Sequence, residues 1–258
     1  MGRGSKGIRP LCSELSQLHL NLTAGLDVLY PAGARGEIIA MKLYLVRHGQ
    51  SIGNKKGFVQ GQKASVDLGL TELGQLQAQL VAERFAEAGI TALYTSPLPR
   101  SAETANYIGQ ACGLEPLSRE WLKEVCYGIL EGLSLAETAT HCPGIFDPQW
   151  RLDNDIPGGE TRRDVYRRAR MALQELLSVH SGDDAICAVA HGEFLSKLID
   201  VMLGVPEIGF PRYMVANSSV TEFAHYPPDS DAAVWVCHCI GDISHIEALK
   251  SPEGEDGW

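Results

Sequence analysis

Residues 43–49 read LYLVRHG and residues 185–192 read AICAVAHG, and these two stretches decide the fold. Each begins as an apolar run that is typical of a buried strand, and each ends in a histidine and a glycine that starts a loop. Because open α/β sheets bind ligands at the carboxyl ends of their strands, we expect His48 and His191 to lie at that edge. Arg47 precedes the first histidine, and a neutral imidazole near guanidinium groups is an available nucleophile for phosphorus. The two stretches therefore predict phosphoryl transfer through His48.

The composition is compatible with one large folded domain and excludes several classes of partner. The chain has 258 residues, of which 45% are apolar and 21% charged, and this is enough to bury a full core. Its formal net charge of -10 argues against nonspecific binding of nucleic acid or of an anionic membrane. A small anionic substrate stays compatible if cations are concentrated locally. Seven cysteines, an odd number, favour reduced thiols and a cytoplasmic location over a disulfide framework.

The first forty residues differ from those that follow. Arg3, Lys6 and Arg9 precede several leucines, but polar side chains interrupt any continuous apolar stretch, so a secretory signal is not expected. We expect residues 1–40 to be a poorly ordered N-terminal extension, and an upstream translation artefact, a tail and a weak organelle address are all open. The catalytic domain is expected over residues 41–249, with a C-terminal tail over 250–258. No stretch is long enough for a membrane-spanning helix.

Helical and strand patterns alternate after the first strand, which predicts a three-layer α/β/α sandwich with a mostly parallel central sheet. A helix capped by Thr71 has apolar positions from Leu73 to Phe85 at helical spacing. A second helix begins with a capping box of Thr161 and Asp164. The expected elements are a helix from Thr71 to Gly89, a strand over 90–95, a helix from Arg100 to about Gly113, a helix from Thr161, the strand that ends at His191, a helix over 193–203, and strands over 220–223 and 233–239.

Five blocks of sequence, taken in order, resemble those of the histidine phosphatase superfamily, which includes the cofactor-dependent phosphoglycerate mutases. The blocks are LVRHGQS at 45–51, TSPLPRSAETA at 95–105, LKE at 122–124, PGGET at 157–161 and VAHGE at 189–193. One block alone would be a weak signal, but five in order are specific. The resemblance runs from Met41 to about Leu249 and implies a phosphoglycerate mutase-like fold.

The resemblance also implies a role for each matching residue. His48 would attack phosphorus and hold the phosphoryl group as a phosphohistidine, which water then hydrolyses. Glu124 would protonate the departing alkoxide and later take a proton from the attacking water. The groups implied around the phosphoryl oxygens are Arg47, Arg100, His191, Asn54 and the backbone N–H of Gly192. Neither a metal nor another cofactor is expected.

The protonation states of this site can be anticipated from its charges. Neighbouring arginines disfavour imidazolium, so we expect His48 to be neutral and nucleophilic. The same cations are expected to keep Glu124 ionised in the empty site. On this hypothesis Glu124 gains its proton mainly when a phosphate dianion is bound.

Other polar clusters have simpler interpretations. A strand would place Cys237 and Cys239 on one face and His238 on the other, which favours core packing over a metal site. Lys55 and Lys56 could line an entrance to the site or could be ordinary exposed lysines. A basic run is interpreted as one charged helix face, although its first two members could reach an anionic substrate; it comprises Arg162, Arg163, Arg167, Arg168 and Arg170.

The segment around the acid favours hydrolysis over isomerisation. The mutases resemble one another in a Glu-Arg-His-Tyr-Gly stretch and a long insertion after it, whereas here residues 123–132 read KEVCYGILEG and only a short span follows before 158–161. This pattern is similar to the phosphatase branch and implies a small phosphorylated metabolite as substrate. A phosphoglycerate mutase is the alternative. A non-catalytic module for phosphorylated ligands is a third reading, and a binder would need neither the nucleophile nor Glu124. The sequence predicts neither the natural substrate nor the oligomeric state.

Overall fold

A mixed sheet lies between two layers of helices in the computed structural model. The structure describes residues 40–66, 69–145, 156–207, 213, 215–226 and 234–249. Its strands are β1 (Met41–Arg47), β2 (Ala92–Thr95), β3 (Leu117–Ser118), β4 (Ala185–Ala190), β5 (Val220–Tyr226) and β6 (Val234–Asp242). Its helices are α1 (Ile52–Lys56), α2 (Glu72–Phe85), α3 (Pro99–Cys112), α4 (Leu135–His141), α5 (Arg162–Val179) and α6 (Gly192–Met202), with 3-10 turns at Glu120–Leu122, Gly128–Leu130 and Ser244–Leu249.

The strands follow the order β3-β2-β4-β1-β5-β6 across the sheet. Strands β3, β2, β4 and β1 pair in parallel, whereas β5 runs antiparallel to β1 and β6 antiparallel to β5. The sheet is therefore mostly parallel, and the predicted fold class is confirmed. In the central pair Arg47 lies opposite Ala190, so the residue after each strand emerges at the same edge.

The core explains why the two central strands are apolar on both faces. Alternate residues of β1 and β4, among them Leu45 and Ile186, pack against α5 and α6. The remaining residues, among them Val46 and Val189, pack against α2 and α3. A parallel strand that is covered by helices on both faces has no side for polar residues, and this is the pattern that the two runs show.

The predicted helix starts are confirmed, but one predicted face is wrong. Thr71 accepts a hydrogen bond from the Gly74 N–H, and Thr161 and Asp164 form the expected reciprocal capping box. Helix α2 buries Val81 and Phe85 as expected, whereas Leu76 is exposed. The buried face instead carries small residues, because the start of α2 lies against the loop after β1.

The last two strands contain a β-bulge that changes the faces of the two cysteines. Phe223 of β5 lies opposite Cys237 of β6, and the preceding residue, Glu222, lies opposite Cys239. One step along β5 therefore corresponds to two steps along β6. Successive residues of β5 point to opposite faces, so Cys237 and Cys239 do as well. The expectation that both cysteines share one face is wrong for this reason. Within the described ranges no group of three or more His, Cys, Asp or Glu side chains is placed to hold a metal ion.

Several expectations concern residues outside the described ranges. These include residues 1–39 of the expected extension and the tail at 250–258. The limits of the catalytic domain therefore stay a prediction. Among the described helices, none combines the length and the apolar character that a bilayer crossing requires.

Candidate active site

The two strand-histidine stretches meet at the carboxyl edge of the sheet. The His48 N–H donates to the Ala190 carbonyl over 3.0 Å, which continues the β1–β4 ladder by one residue. The rings of His48 and His191 consequently lie close together, with centroids 5.1 Å apart and planes inclined by 58°. Both side chains are buried. The backbone pairing of two parallel strands is what brings these residues together from distant parts of the sequence.

Hydrogen bonds define the tautomer of His48. Its Nδ1 lies 2.7 Å from the Gly49 carbonyl oxygen, which can only accept, so Nδ1 carries the proton. The other nitrogen, Nε2, accepts from the Nε of Arg100 over 3.2 Å. Burial holds the pKa of His48 well below its ordinary value, and Arg100 and Arg47 lower it further. The ring is therefore neutral, with the Nε2 lone pair on the side of the arginine.

His191 has a different set of contacts. Its Nε2 lies 2.8 Å from the Ser96 hydroxyl, which itself accepts from the Leu98 N–H. A Ser96 hydroxyl that donates to Nε2 while it accepts from Leu98 satisfies both of its roles, and this favours the tautomer with the His191 proton on Nδ1. The Nδ1 atom is buried and has no hydrogen-bond partner in the described part of the chain. Burial, with Arg100 next, keeps the pKa of His191 well below its ordinary value.

Two guanidinium groups flank the histidines. Arg100 begins the first turn of α3, is 1% exposed and donates from Nη2 to the Gly61 carbonyl over 3.0 Å. Arg47 ends β1 and donates from Nη1 to the Val215 carbonyl over 2.6 Å. Burial lowers the pKa of Arg47 to about 10, and the opposite charge of Glu124 partly offsets that effect. Arg47 therefore stays cationic at neutral pH.

Glu124 lies at the N-terminus of α6. Its Oε1 accepts from the backbone N–H groups of Val125 (2.9 Å) and Phe194 (3.0 Å), and its Oε2 accepts from that of Glu193 (3.3 Å). Gly192 is the first residue of this helix, and a Cβ there would lie 3.4 Å from the Arg47 Nε. The helix start thus brings the expected acid, Gly192 and Arg47 to one place.

The surroundings of Glu124 shift its pKa in the direction opposite to the one expected from the neighbouring cations. Burial raises the pKa of Glu124, and the nearby carboxylate of Glu193 raises it further. The backbone donors and Arg100 oppose this shift but do not outweigh it. Burial and Glu193 therefore make the Glu124 carboxyl group easier to protonate than an ordinary glutamate before any phosphate arrives.

Asn54 belongs to the short helix α1, and its side-chain oxygen is fully engaged. Its Oδ1 accepts from the N–H and the hydroxyl of Ser51 and, over 3.3 Å, from the Nδ2 of Asn217. The Asn54 amide NH2 is then the group left for a ligand. Asn217 also donates to the His48 carbonyl over 3.0 Å and is 2% exposed. Asn217 could not be predicted from the sequence, since an Asn-Ser-Ser turn before a strand carries no sign of its partner.

These side chains line a cavity of about 330 Å³. Five of the seven predicted site residues line it directly: Arg47, His48, Asn54, Arg100 and Glu124. His191 and Gly192 lie behind this surface and contact His48 and Arg47, respectively.

The cavity lining also includes apolar side chains and a buried ion pair. The apolar side chains include Phe58, Leu135 and Ile145. In the ion pair Arg162 contacts Glu193 at 3.0 Å, and the Tyr127 hydroxyl also donates to Glu193. Arg162 is thus buried at the cavity and is not part of an exposed helix face.

Other cations of the sequence lie elsewhere. Arg163 is exposed and pairs with Glu207, and Lys55 and Lys56 are exposed and are not in the cavity lining. The interpretation of these lysines as ordinary surface residues fits this placement.

Comparison with known proteins agrees with the geometry. The model of the histidine phosphatase superfamily (branch 1) matches residues 43–238, which is most of the chain.

The chain belongs to the histidine phosphatase superfamily.

Relatives within this superfamily carry two kinds of name. A probable phosphoglycerate mutase GpmB of Serratia proteamaculans is 33% identical over 214 residues, which are 80% of this chain and 95% of that protein. The native structure of a mycobacterial glucosyl-3-phosphoglycerate phosphatase is 29% identical, with a TM-score of 0.68, and the match covers 78% of this chain and 99% of that one. YhfR of Bacillus stearothermophilus is 29% identical, with a TM-score of 0.70, over 81% and 100% of the two chains. The superfamily therefore includes both mutase-named and phosphatase-named relatives of this chain.

Proposed function

We propose that the protein is a phosphomonoesterase that hydrolyses small phosphate esters through a phosphohistidine on His48, with Glu124 as general acid and base. The observation that carries this proposal is one cavity that contains a neutral His48, two guanidinium groups and a carboxyl group of raised pKa. A nucleophile, an electrostatic clamp and a proton donor are the three components that phosphoryl transfer to a histidine requires.

In the first step, phosphoryl oxygens of the ester replace His48 Nε2 as the acceptor of the Arg100 Nε–H. The freed Nε2 lone pair attacks phosphorus while the bond from phosphorus to the ester oxygen breaks. Glu124 transfers its proton to that oxygen, so the leaving group departs as a neutral alcohol. The products are the phosphohistidine and an ionised Glu124.

In the second step, the Glu124 carboxylate takes a proton from water, and the water oxygen attacks phosphorus. The bond from phosphorus to Nε2 breaks, inorganic phosphate leaves and His48 is neutral again. Each carboxyl proton that is lost in the first step is regained in the second, so the cycle closes.

Fixed positive charge stabilises both transition states. Charge develops on the three equatorial oxygens of the transferred group, and preorganised donors at these oxygens lower the barrier. In our proposal those donors are the guanidinium groups of Arg47 and Arg100, the Nδ1–H of His191, the amide of Asn54 and the backbone N–H of Gly192. No step needs a metal or another cofactor.

The relatives favour hydrolysis but leave one competing reaction. A glucosyl-3-phosphoglycerate phosphatase that is 29% identical is described in complex with VO3, which supports a small phosphorylated metabolite as the ligand here. A phosphoglycerate mutase is the second candidate, because relatives at 32–34% identity carry that name. The six described cysteines are free thiols, which supports the proposed cytoplasmic location.

The test is a product analysis with EDTA present. The protein is incubated with sugar phosphates, nucleotides, phosphopeptides and 3-phosphoglycerate, and both inorganic phosphate and 2-phosphoglycerate are measured, with His48→Gln as the matched control. We expect release of phosphate that His48→Gln abolishes. Accumulation of 2-phosphoglycerate without phosphate would establish the mutase instead. Binding of these esters without turnover would show a non-catalytic module.

A further inference from the structure

Arg168 lies on α5, and its guanidinium binds the backbone of the segment that carries Glu124. Its Nη1 donates to the carbonyl oxygens of Trp121 (3.1 Å) and Lys123 (2.6 Å), and its Nη2 donates to that of Glu124 itself (3.2 Å). One side chain thus fixes three carbonyl groups within four residues. Arg168 is not in the cavity lining, so these contacts do not serve a ligand directly.

A second residue holds this guanidinium in place. Glu160 accepts from the Arg168 Nε and Nη2, both over 2.9 Å, in a bidentate pair. Glu160 also binds the far side of the same segment, because its Oε2 accepts from the Cys126 N–H and its own N–H donates to the Cys126 carbonyl, each over 2.8 Å. Arg168 and Glu160 together hold the backbone on both sides of Glu124.

Arg168 also contacts the helix that binds the Glu124 carboxyl group. Its Cζ lies 4.7 Å from the centroid of the Phe194 ring, and the Phe194 N–H is the 3.0 Å donor to Glu124 Oε1. The guanidinium therefore lies between the segment that carries Glu124 and the start of α6, whose N–H groups bind the Glu124 carboxyl group. A planar group that makes bidentate bonds and stacks on a ring cannot be replaced by an ammonium.

We propose that Arg168, held by Glu160, is the positioning residue that aims the Glu124 carboxyl group at the leaving-group oxygen. This inference rests on the proposed role of Glu124 as the acid. A misplaced acid slows expulsion of alkoxides, which need a proton, more than expulsion of p-nitrophenolate, which does not. The effect of losing Arg168 therefore depends on the leaving group, whereas general damage to the fold would affect all substrates alike.

The experiment compares kcat/KM for p-nitrophenyl phosphate and for an alkyl phosphate in Arg168→Gln, Arg168→Lys, Glu124→Gln and the double variant Glu124→Gln/Arg168→Gln. We expect both Arg168 variants to lose at least about tenfold more activity on the alkyl ester than on the aryl ester. The double variant should be no worse than Glu124→Gln, because both changes remove one function. Arg167→Gln is the matched control, since Arg167 lies on the same helix with its side chain 69% exposed.

The outcomes separate this inference from the proposed function. Equal losses on both esters in Arg168→Gln, or an additive loss in the double variant, would overturn the positioning role while leaving Glu124 as the acid. If Glu124→Gln lost the same activity on the alkyl ester as on the aryl ester, both the acid role of Glu124 and the positioning role of Arg168 would be overturned. If Arg168→Gln fails to fold, Glu160→Gln tests the same pair, and the same dependence on leaving group is expected from it.

Discussion

At the scale of single residues, Glu124 combines its proposed catalytic role with a cost in stability. Its pKa is raised by burial and by Glu193, so the folded chain holds this proton more tightly than the unfolded chain does. Glu124 therefore contributes to the free energy of unfolding below the pKa that it has in the unfolded chain. This contribution is lost as the pH rises through the higher pKa of the folded chain. An ionised Glu124 therefore destabilises the fold at neutral and alkaline pH.

We therefore predict that Glu124→Gln is more stable than the wild type at pH 7.5. The amide keeps an oxygen for the Val125 and Phe194 donors and carries no charge. We expect Tm to rise by about 2–4 °C, which corresponds to ~1 kcal/mol in a domain of this size, and to differ less at pH 4. Thermal unfolding followed by circular dichroism measures this. Glu120→Gln, at a side chain that is 77% exposed, is the control. An unchanged or lower Tm for Glu124→Gln at pH 7.5 would contradict the account.

Asn217 gives a second prediction at this scale. Its amide donates to the His48 carbonyl and to Asn54 Oδ1, so truncation leaves the buried carbonyl with only the Ser218 N–H at 3.2 Å and leaves Asn54 Oδ1 with only its Ser51 donors. We expect Asn217→Ala to lose about 1–3 kcal/mol of stability and to lower kcat more than it raises KM. Urea unfolding and steady-state kinetics check both effects, and Asn106→Ala, at an exposed position, serves as control. Wild-type kcat in Asn217→Ala would remove the residue from the site.

Sequence blocks identified five polar residues that line the cavity, because the chemistry of each is visible in its own neighbours. The roles assigned to them stay predictions. Asn217 and Arg168 could not be found in this way, since their partners His48 and Glu124 are distant in sequence and are brought near only by folding. The direction of the Glu124 pKa shift was unpredictable for the same reason, since its burial and its distance to Glu193 depend on how α6 meets the segment that carries Glu124.

At the scale of secondary structure, the loop after β1 and the start of α2 approach each other closely. A Cβ on Gly74 would lie 2.0 Å from the Gln50 carbonyl oxygen, and one on Gly49 would lie 2.4 Å from the Gly74 carbonyl oxygen. Both neighbouring atoms belong to the backbone, so a change of side-chain rotamer cannot relieve either clash. The two glycines permit the loop that carries His48 to pack on α2.

We therefore predict that Gly74→Ala destabilises the protein although alanine favours helices by about 0.8–1.0 kcal/mol over glycine. The steric conflict should cost about 1–3 kcal/mol net of that gain, and displacement of the His48 loop should lower kcat. Gln75→Ala, at an exposed position of the same helix, should change neither. Denaturant unfolding with parallel kinetics is the measurement, and a Gly74→Ala variant as stable and active as the wild type would contradict the close approach.

Helices and strands could be predicted from the sequence where neighbouring residues alone determine them. The predicted helix caps at Thr71 and Thr161 are confirmed, and so are the two central strands. A capping side chain lies next to its helix in the sequence, and a strand that is buried on both faces is a continuous apolar run, so both can be recognised without knowledge of the fold. The β-bulge opposite Glu222 and the packing of the start of α2 on the loop after β1 are set by neighbouring elements. For that reason the shared face expected for Cys237 and Cys239 was wrong, and Leu76, one of the apolar positions between Leu73 and Phe85, is exposed.

At the scale of the whole molecule, two neutral histidines are buried at the centre of the fold. The pKa values of His48 and His191 are lowered, so the unfolded chain takes up protons that the folded chain does not. Their contribution to stability is fully present above the unfolded pKa of about 6.5 and is lost as the pH falls below it, by up to ~1.4 kcal/mol per pH unit for each histidine. We predict that wild-type stability falls more steeply from pH 6.5 to 5.5 than that of His48→Gln, by about 1 kcal/mol. Urea unfolding at both pH values tests this, and parallel slopes would show that His48 is not buried in its neutral form.

The most direct test of the central claim is to trap the covalent intermediate. The protein is mixed with a radiolabelled phosphate ester in a rapid-quench apparatus, quenched in alkali and digested, and the labelled peptide is sequenced. We predict a label on His48 that is stable in alkali and released by acid, that forms within one turnover and that is absent from His48→Gln. A label on another residue, or a His48→Gln variant that turns over at the wild-type rate, would contradict the account.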